Sequence, residues 1–211
     1  LMDIFLCIFL GYAVGCINPA YLIGKLRGFD IRRSGSGNAG ASNALITMGK
    51  AAGVFSMLFD IAKAVFVTQL CAALFPLFAY AFPLAASACI LGHIFPFYMK
   101  FRGGKGLACL GGAVLSYNWK LFLLALAIAL LLLFLTDYIC IVPIAASVAF
   151  VIAYGIFSQS LPGALILLPA AAAIEFRHIE NLQRIKNGTE MHFSYLWRRD
   201  QELSRIKENT K

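Results

Sequence analysis

Seven apolar runs dominate the chain, at about 4–25, 50–73, 77–98, 106–118, 120–136, 138–157 and 160–177. A helix needs about 20 apolar residues to cross a ~30 Å hydrocarbon core, so the pattern predicts an all-α polytopic membrane protein with seven transmembrane helices. The fourth run is the shortest. Only 13% of the 211 residues are charged, against roughly 25% in a soluble domain, which excludes a soluble globular fold. The runs leave no length for a second folded unit. Residues 1–211 read as one integral-membrane domain with a tail from 178 onward.

The net charge of +8 is unevenly placed. Lys25, Arg27, Arg32, Arg33 and Lys50 follow the first run, Lys100, Arg102 and Lys105 follow the third, and the tail cations lie between Arg177 and Lys211. Lys120 falls on the other side, and Lys63 lies inside the second run. The positive-inside rule puts the cationic side in the cytoplasm, the N-terminus outside and the C-terminus inside. Omitting the short fourth run would set the tail opposite the first two basic loops, so the charge pattern supports seven spans. Asp60 and Lys63 are neighbours on one helix face. They read either as a self-neutralising interior pair or as functional groups within a span.

Cys7, Cys16, Cys71, Cys89, Cys109 and Cys140 are scattered singly, with no C-x-x-C and no nearby His pair. That spacing excludes a disulfide framework or a zinc site and predicts small apolar packing residues. The first run starts at an acidic Asp3 and ends in cations, which suits a retained span rather than a cleaved signal.

Three segments on the cationic side combine glycine, small polar groups and cations. The first, 32–43, includes Arg32, Ser36, Gly37, Asn38 and Asn43; its glycines permit close backbone approach, so that N–H groups can converge on an anion. The second runs from Gly92-His93 through Pro96 to Gly103-Gly104-Lys105-Gly106. A lysine among glycines at the start of a span offers backbone N–H groups, a helix dipole and an ammonium to a phosphate. It lacks G-x-x-x-x-G-K-[ST] and a preceding strand, so it is not a nucleotide-binding P-loop. The third, 177–190, carries His178 and Asn181 one helical turn apart, with Arg177, Arg184 and Glu190 nearby. His192, beside Phe193, Tyr195 and Trp197, reads as an interfacial residue, and Trp197-Arg198-Arg199 as a surface anchor attracted to anionic lipid. Together the segments point to a phosphate-binding site at the membrane surface, with an apolar slot for a chain between the spans.

These residues resemble the bacterial acyl-phosphate:glycerol-3-phosphate acyltransferases of the PlsY type. The resemblance runs through 15–24, 34–43, Asp60 with Lys63, 92–96 with 103–106, and 177–190. It implies transfer of a fatty acyl group from acyl phosphate to the 1-hydroxyl of glycerol 3-phosphate, giving lysophosphatidic acid at the cytoplasmic face of a bacterial inner membrane. No metal, nucleotide or other cofactor is implied, and the expected partners are the two substrates and bilayer lipid, with no nucleic acid, around a monomer. By the resemblance Lys105, His178 and Asn181 carry the reaction. Arg32, Ser36, Gly37, Asn38, Asn43, Gly103, Gly104, Gly106 and Glu190 bind substrate. The His-x-x-x-x-Asp pattern of another acyltransferase class is missing, because the fifth residues after His93, His178 and His192 are Tyr98, Gln183 and Trp197.

The chain departs from the family pattern at five places. Ile46 stands where an Arg is usual, Asp137, Cys140 and Pro143 where a basic residue and serines are usual, and Cys16 where Ser is common. The lost Arg calls for another cation, from Arg32, Arg33 or Arg102, or for a changed acceptor or a lost activity. A transporter is disfavoured, because there is no internal repeat and the polar motifs gather on one face.

Overall fold

A computed structural model describes residues 1–209, apart from the side chains of Leu196, Arg199, Leu203, Lys207 and Glu208. Arg199 of the expected surface anchor, as a side chain, and Thr210 and Lys211 at the end of the expected tail therefore lie outside the described residues. Ten α-helices are present among them: α1 (Met2–Cys16), α2 (Pro19–Leu26), α3 (Ala41–Met48), α4 (Lys50–Leu74), α5 (Ala81–Ile94), α6 (Leu107–Tyr117), α7 (Trp119–Thr136), α8 (Ile141–Ser158), α9 (Leu161–Lys186) and α10 (Arg199–Asn209). Among the described residues six helical segments are long and apolar enough to cross a membrane: Met2–Leu26, Lys50–Leu74, Ala81–Met99, Trp119–Thr136, Ile141–Ser158 and Leu161–Lys186. The fourth predicted span is the 11-residue α6, only about 16 Å long at 1.5 Å per residue.

The first predicted span is broken. Asn18 caps α2 by accepting from the Tyr21 N–H at 2.8 Å, and Pro19 opens that helix, a start signal that the Asn-Pro pair carries in sequence. The other differences lie beyond the apolar runs. The segment between the first two runs holds α3, and α9 continues to Lys186, nine residues past the apolar run, placing His178 and Asn181 on rigid helix.

Close packing rests on small residues, as is usual where lipid gives no hydrophobic drive between helices. Gly11 and Gly15 of α1 sit directly against Ala85, Ala88 and Cys89 of α5, and Gly92 of α5 against the Tyr12 carbonyl. A Cβ at any of these would collide with backbone or an adjoining side chain. Gly112 of α6 meets the Ile61 carbonyl of α4 in the same way, and Thr68 and Ser116 join those helices through their hydroxyls at 2.7 Å. All six cysteines are buried and unpaired, as packing residues. α7 contributes no fully buried residue; only Leu121 and Phe122, near its start, pack against the core.

Asp60 and Lys63 are indeed turned inward, with side chains 2% and 3% exposed and 2.7 Å apart. The ammonium also donates to the carbonyls of Gly15 (3.0 Å) and Ile17 (2.6 Å) at the end of α1. It thus caps a helix C-terminus, where a cation is favoured by the exposed carbonyls. His93 completes the cluster, its Nδ1 lying 3.1 Å from Lys63 Nζ and 3.3 Å from Asp60 Oδ1. Asp60, His93 and Cys109 bring potential metal donors together, but the Lys63 ammonium already supplies the counter-charge among them.

Candidate active site

The first glycine-rich segment is organised by one buried amide. Asn43, the third residue of α3, donates through Nδ2 to the carbonyls of Ile31 (3.0 Å), Ser34 (2.9 Å) and Asn38 (2.8 Å), and its Oδ1 accepts from the Ser36 N–H at 2.9 Å. Gly35, at φ +58, passes so close to Asn43 Oδ1 that a Cβ there would collide with it. A second amide, Asn18, donates to the Ala39 carbonyl at 2.8 Å and fixes the far side of the loop to the α1–α2 break. Asn43 is therefore the scaffold of the loop. Ser36 and Gly37 stand exposed on it, and Asn38 half-exposed.

Arg32 is also committed within the protein. It forms a fork-to-fork pair with Asp30 (2.9 and 2.7 Å) and donates to the Met99 carbonyl at 2.6 Å, beside the Tyr21 ring. These bonds hold the Asp30 carboxyl down to about 2. Arg32 thus clamps the first segment to the second.

The second segment turns through Phe97–Met99 and enters the glycines. The N–H groups of Gly103 and Gly104 are used internally, donating to the carbonyls of Ile94 (3.0 Å) and His93 (3.1 Å). Gly104 lies flat against the His93 ring, where any Cβ would strike Nε2. The buried ion cluster therefore supports the glycine turn from below. Gly106, at φ +92, caps α6, leaving the N–H groups of the first turn of α6 without intrahelical partners. Of the donors in and after the glycine turn, it is these that backbone bonding leaves available to an anion.

Lys105 reaches across to α9 and donates to the side-chain carbonyl of Asn181. Asn181 Nδ2 donates to Glu190 Oε1 at 2.5 Å, and Arg184 Nε to Glu190 Oε2 at 2.6 Å. Burial and the like charges of Arg184 and Arg177 draw the Lys105 ammonium down to about 8, opposed by Glu190 and Glu180. His178, buried on the same helix, directs Nδ1 at the Ile174 carbonyl, 2.7 Å away. A carbonyl only accepts, so Nδ1 carries the hydrogen and Nε2 is the ring nitrogen left for other work. Lys105, His178, Asn181 and Glu190 are thus brought together in one place, with Arg32, Asn43, Gly103 and Gly104 holding its frame.

Arg177, which begins the third segment, has no site role implied by the family resemblance. Its Nε is buried with no hydrogen-bond partner, and it lies close enough to Arg102 and Lys105 for their like charges to act on one another. A half-buried cation with an idle donor is the strongest anion-seeking feature of the site. Ile46, at the usual Arg position, is 39% exposed on α3. Cys140 sits within reach of the charges of Glu190, Lys105 and Arg184, and burial pushes its thiol up to about 11. It enters the site as a neutral group.

A cavity of about 170 Å³ whose lining residues are all apolar opens between α7 and α8, with Leu124, Ile128, Leu132, Val142, Ala146 and Phe150 among them.

The family model described as glycerol-3-phosphate acyltransferase matches residues 5–188. The chain belongs to this family. Glycerol-3-phosphate acyltransferase from Lactiplantibacillus plantarum is 36% identical over 207 residues, covering 97% of this chain and 100% of the relative. The Bacillus subtilis protein of the same name is 36% identical, covering 92% and 100%. The acyltransferase fold is also found in the solved structure of PlsY, an integral membrane glycerol 3-phosphate acyltransferase, in its glycerol 3-phosphate form. The TM-score is 0.83 at 27% identity, over 92% of this chain and 96% of that one. Its lysophosphatidic acid form gives a TM-score of 0.80.

Proposed function

We propose that the protein is a membrane acyltransferase that moves a fatty acyl group from acyl phosphate to the 1-hydroxyl of glycerol 3-phosphate, releasing lysophosphatidic acid and phosphate. The observation that carries this reading is the meeting of Lys105 and Asn181 beside an unpartnered, buried Arg177 Nε. Such a site favours anions, and both substrates are anionic. Arg177, with Arg102, takes the part that Ile46 leaves open, and Arg32 acts as a clamp. Ser36, Gly37 and Asn38 face glycerol 3-phosphate, while the first turn of α6 beyond Gly106 holds the acyl phosphate. The cavity between α7 and α8 receives part of the acyl chain.

The reaction needs no resident cofactor. The hydroxyl oxygen forms a bond to the acyl carbon, the bond from that carbon to the phosphate oxygen breaks, and the hydroxyl proton passes to a phosphate oxygen. Lys105 and the helix N–H groups stabilise charge that moves onto the leaving phosphate, and Asn181 and His178 orient the acceptor. His178 has a backbone carbonyl behind it rather than a carboxylate, which favours this substrate-assisted route over an imidazole base.

The topology supports a cytoplasmic site and seven passages. Arg32 joins the first cationic segment to the second, and Lys105 joins the second to the third, so all three share one side. Four helices, α6 to α9, separate the second from the third, and an even number of crossings returns the chain to that side. On this reading α6 counts as a passage despite its length. The positive-inside rule makes the shared side cytoplasmic.

The test is purified, folded protein given acyl phosphate and glycerol 3-phosphate. Lysophosphatidic acid and phosphate in equal amounts are expected, and their absence overturns the reading. Arg177→Gln is expected to raise KM for glycerol 3-phosphate about tenfold or more, the value of a charged hydrogen bond.

A further inference from the structure

The family match ends at residue 188, yet the segment beyond it is fastened to the site at several points. Arg205 of α10 donates to the carbonyl of Gly188 and, at 2.6 Å, to that of Glu190. Glu202, one turn earlier, holds Arg205 at 2.8 Å and accepts from His192 Nδ1 at 2.8 Å. Burial pushes the Glu202 carboxyl up, but the bonds from Arg205 and His192 prevail and bring it to about 2. His192 meets the Tyr138 hydroxyl through Nε2 at 3.0 Å, so it is an internal bridge rather than a free interfacial ring. Asp137, at the family's usual basic position, accepts from the N–H (2.8 Å) and hydroxyl (2.7 Å) of Ser194, and its carbonyl from the Phe193 N–H at 2.7 Å.

These bonds converge on one turn. Gly188, at φ +68, reverses the chain after α9 and packs against Asn209, bringing Glu190 back beneath Asn181. Glu190 is the acceptor that leaves the Asn181 carbonyl oxygen facing Lys105. From α9 the carboxylate is met by Asn181 and by Arg184, whose side chain is 37% exposed, and the turn by backbone bonds from Thr189 (2.8 Å) and Glu190 (3.1 Å) to the Arg184 carbonyl; α10 closes the turn from the opposite side. We propose that the C-terminal segment is a positioning latch for the active site, in which Arg205 braces the 188–190 turn through its Gly188 and Glu190 carbonyls and acts through Glu190 on Asn181 and Lys105. Asp137 is the opposing anchor of the latch, which gives its departure from the family pattern a purpose.

The inference rests on the acyltransferase reading and is tested by a double-mutant cycle in the full-length protein. Wild type, Arg205→Ala, Glu190→Gln and the double variant are compared for kcat and KM. Arg205→Ala is expected to lower kcat/KM for glycerol 3-phosphate about tenfold, mostly through KM, but less than about twofold in the Glu190→Gln background, as coupled residues show. Arg205→Lys, which reaches one carbonyl, recovers part of the loss. The same dependence on Glu190 is expected of Asp137→Asn, which weakens the other end without touching α10. Equal losses in both backgrounds, or wild-type kcat/KM in Arg205→Ala, overturn the latch. A wild type that makes no lysophosphatidic acid overturns the acyltransferase reading, and the latch with it.

Discussion

The ammonium of Lys105 donates to the side-chain carbonyl of Asn181, 76 positions along the chain, and through that bond the glycine turn before α6 and the end of α9 become one surface. Lys105 is charged at neutral pH but titrates near 8 because burial and the neighbouring Arg184 and Arg177 disfavour its proton. The value of kcat/KM is therefore expected to fall as pH rises through about 8, since that ratio reports the free enzyme. Folding stability moves the other way. The unfolded lysine binds its proton up to about 10.4, so between about 8 and that value the unfolded chain holds more protons and stability rises with pH. Lys105→Arg is expected to abolish the alkaline fall, measured in a pH–rate series.

His178→Gln separates the two proton routes. If a phosphate oxygen takes the hydroxyl proton, glutamine keeps a hydrogen-bonding group at the site and turnover stays within about tenfold of wild type. An obligatory imidazole base would instead cost about 10²–10⁴ in kcat. A kcat loss in that range at every pH rejects the substrate-assisted route.

Removing Asn43 should undo the first loop without unfolding the bundle. Asn43→Ala removes four bonds. The Ile31 and Ser34 carbonyls keep the N–H groups of Ser34 (3.2 Å) and Gly37 (3.1 Å), whereas the Asn38 carbonyl and the Ser36 N–H lose their partner, a local cost of about 1–3 kcal/mol for each group that stays buried. Proteolysis within 34–40 is expected to accelerate while the thermal midpoint of the whole protein changes little. Asn43→Asp should fail similarly, because aspartate can accept from Ser36 but cannot donate to Ile31, Ser34 or Asn38.

The buried pair offers a sign test. Lys63→Met leaves Asp60 unbalanced and the α1 carbonyls uncapped, and a loss of about 3–5 kcal/mol is expected, as for other broken buried pairs. The joint change Asp60→Leu with Lys63→Met should be milder, read from thermal unfolding in detergent. If the double variant is the less stable of the two, the pair is more than self-neutralising.

The helical membrane architecture is legible in the spacing of apolar runs, and the three polar segments are legible as motifs, because both depend on local composition. Pairings are another matter. Arg32 and Asn43 have the residue types of anion binders, and only their partners, Asp30, Met99 and the loop carbonyls, reveal them as fasteners. His93 joining Asp60 and Lys63 is a contact between α4 and α5 that no periodicity encodes. The break at Asn18-Pro19 was signalled locally but lay within an unbroken apolar run. Arg177 stood in plain view at the head of the third motif, and its idle Nε is a property of burial, which a linear reading does not supply.

α7, which fully buries none of its side chains, forms one wall of the apolar cavity while α8 forms the other. Its tilt then answers to the thickness of the surrounding bilayer as much as to the rest of the chain. On the proposed reading, in which this cavity takes part of the acyl chain, membrane composition becomes a determinant of which chains fit. A cell that remodels its lipids would thereby retune this wall without changing a codon.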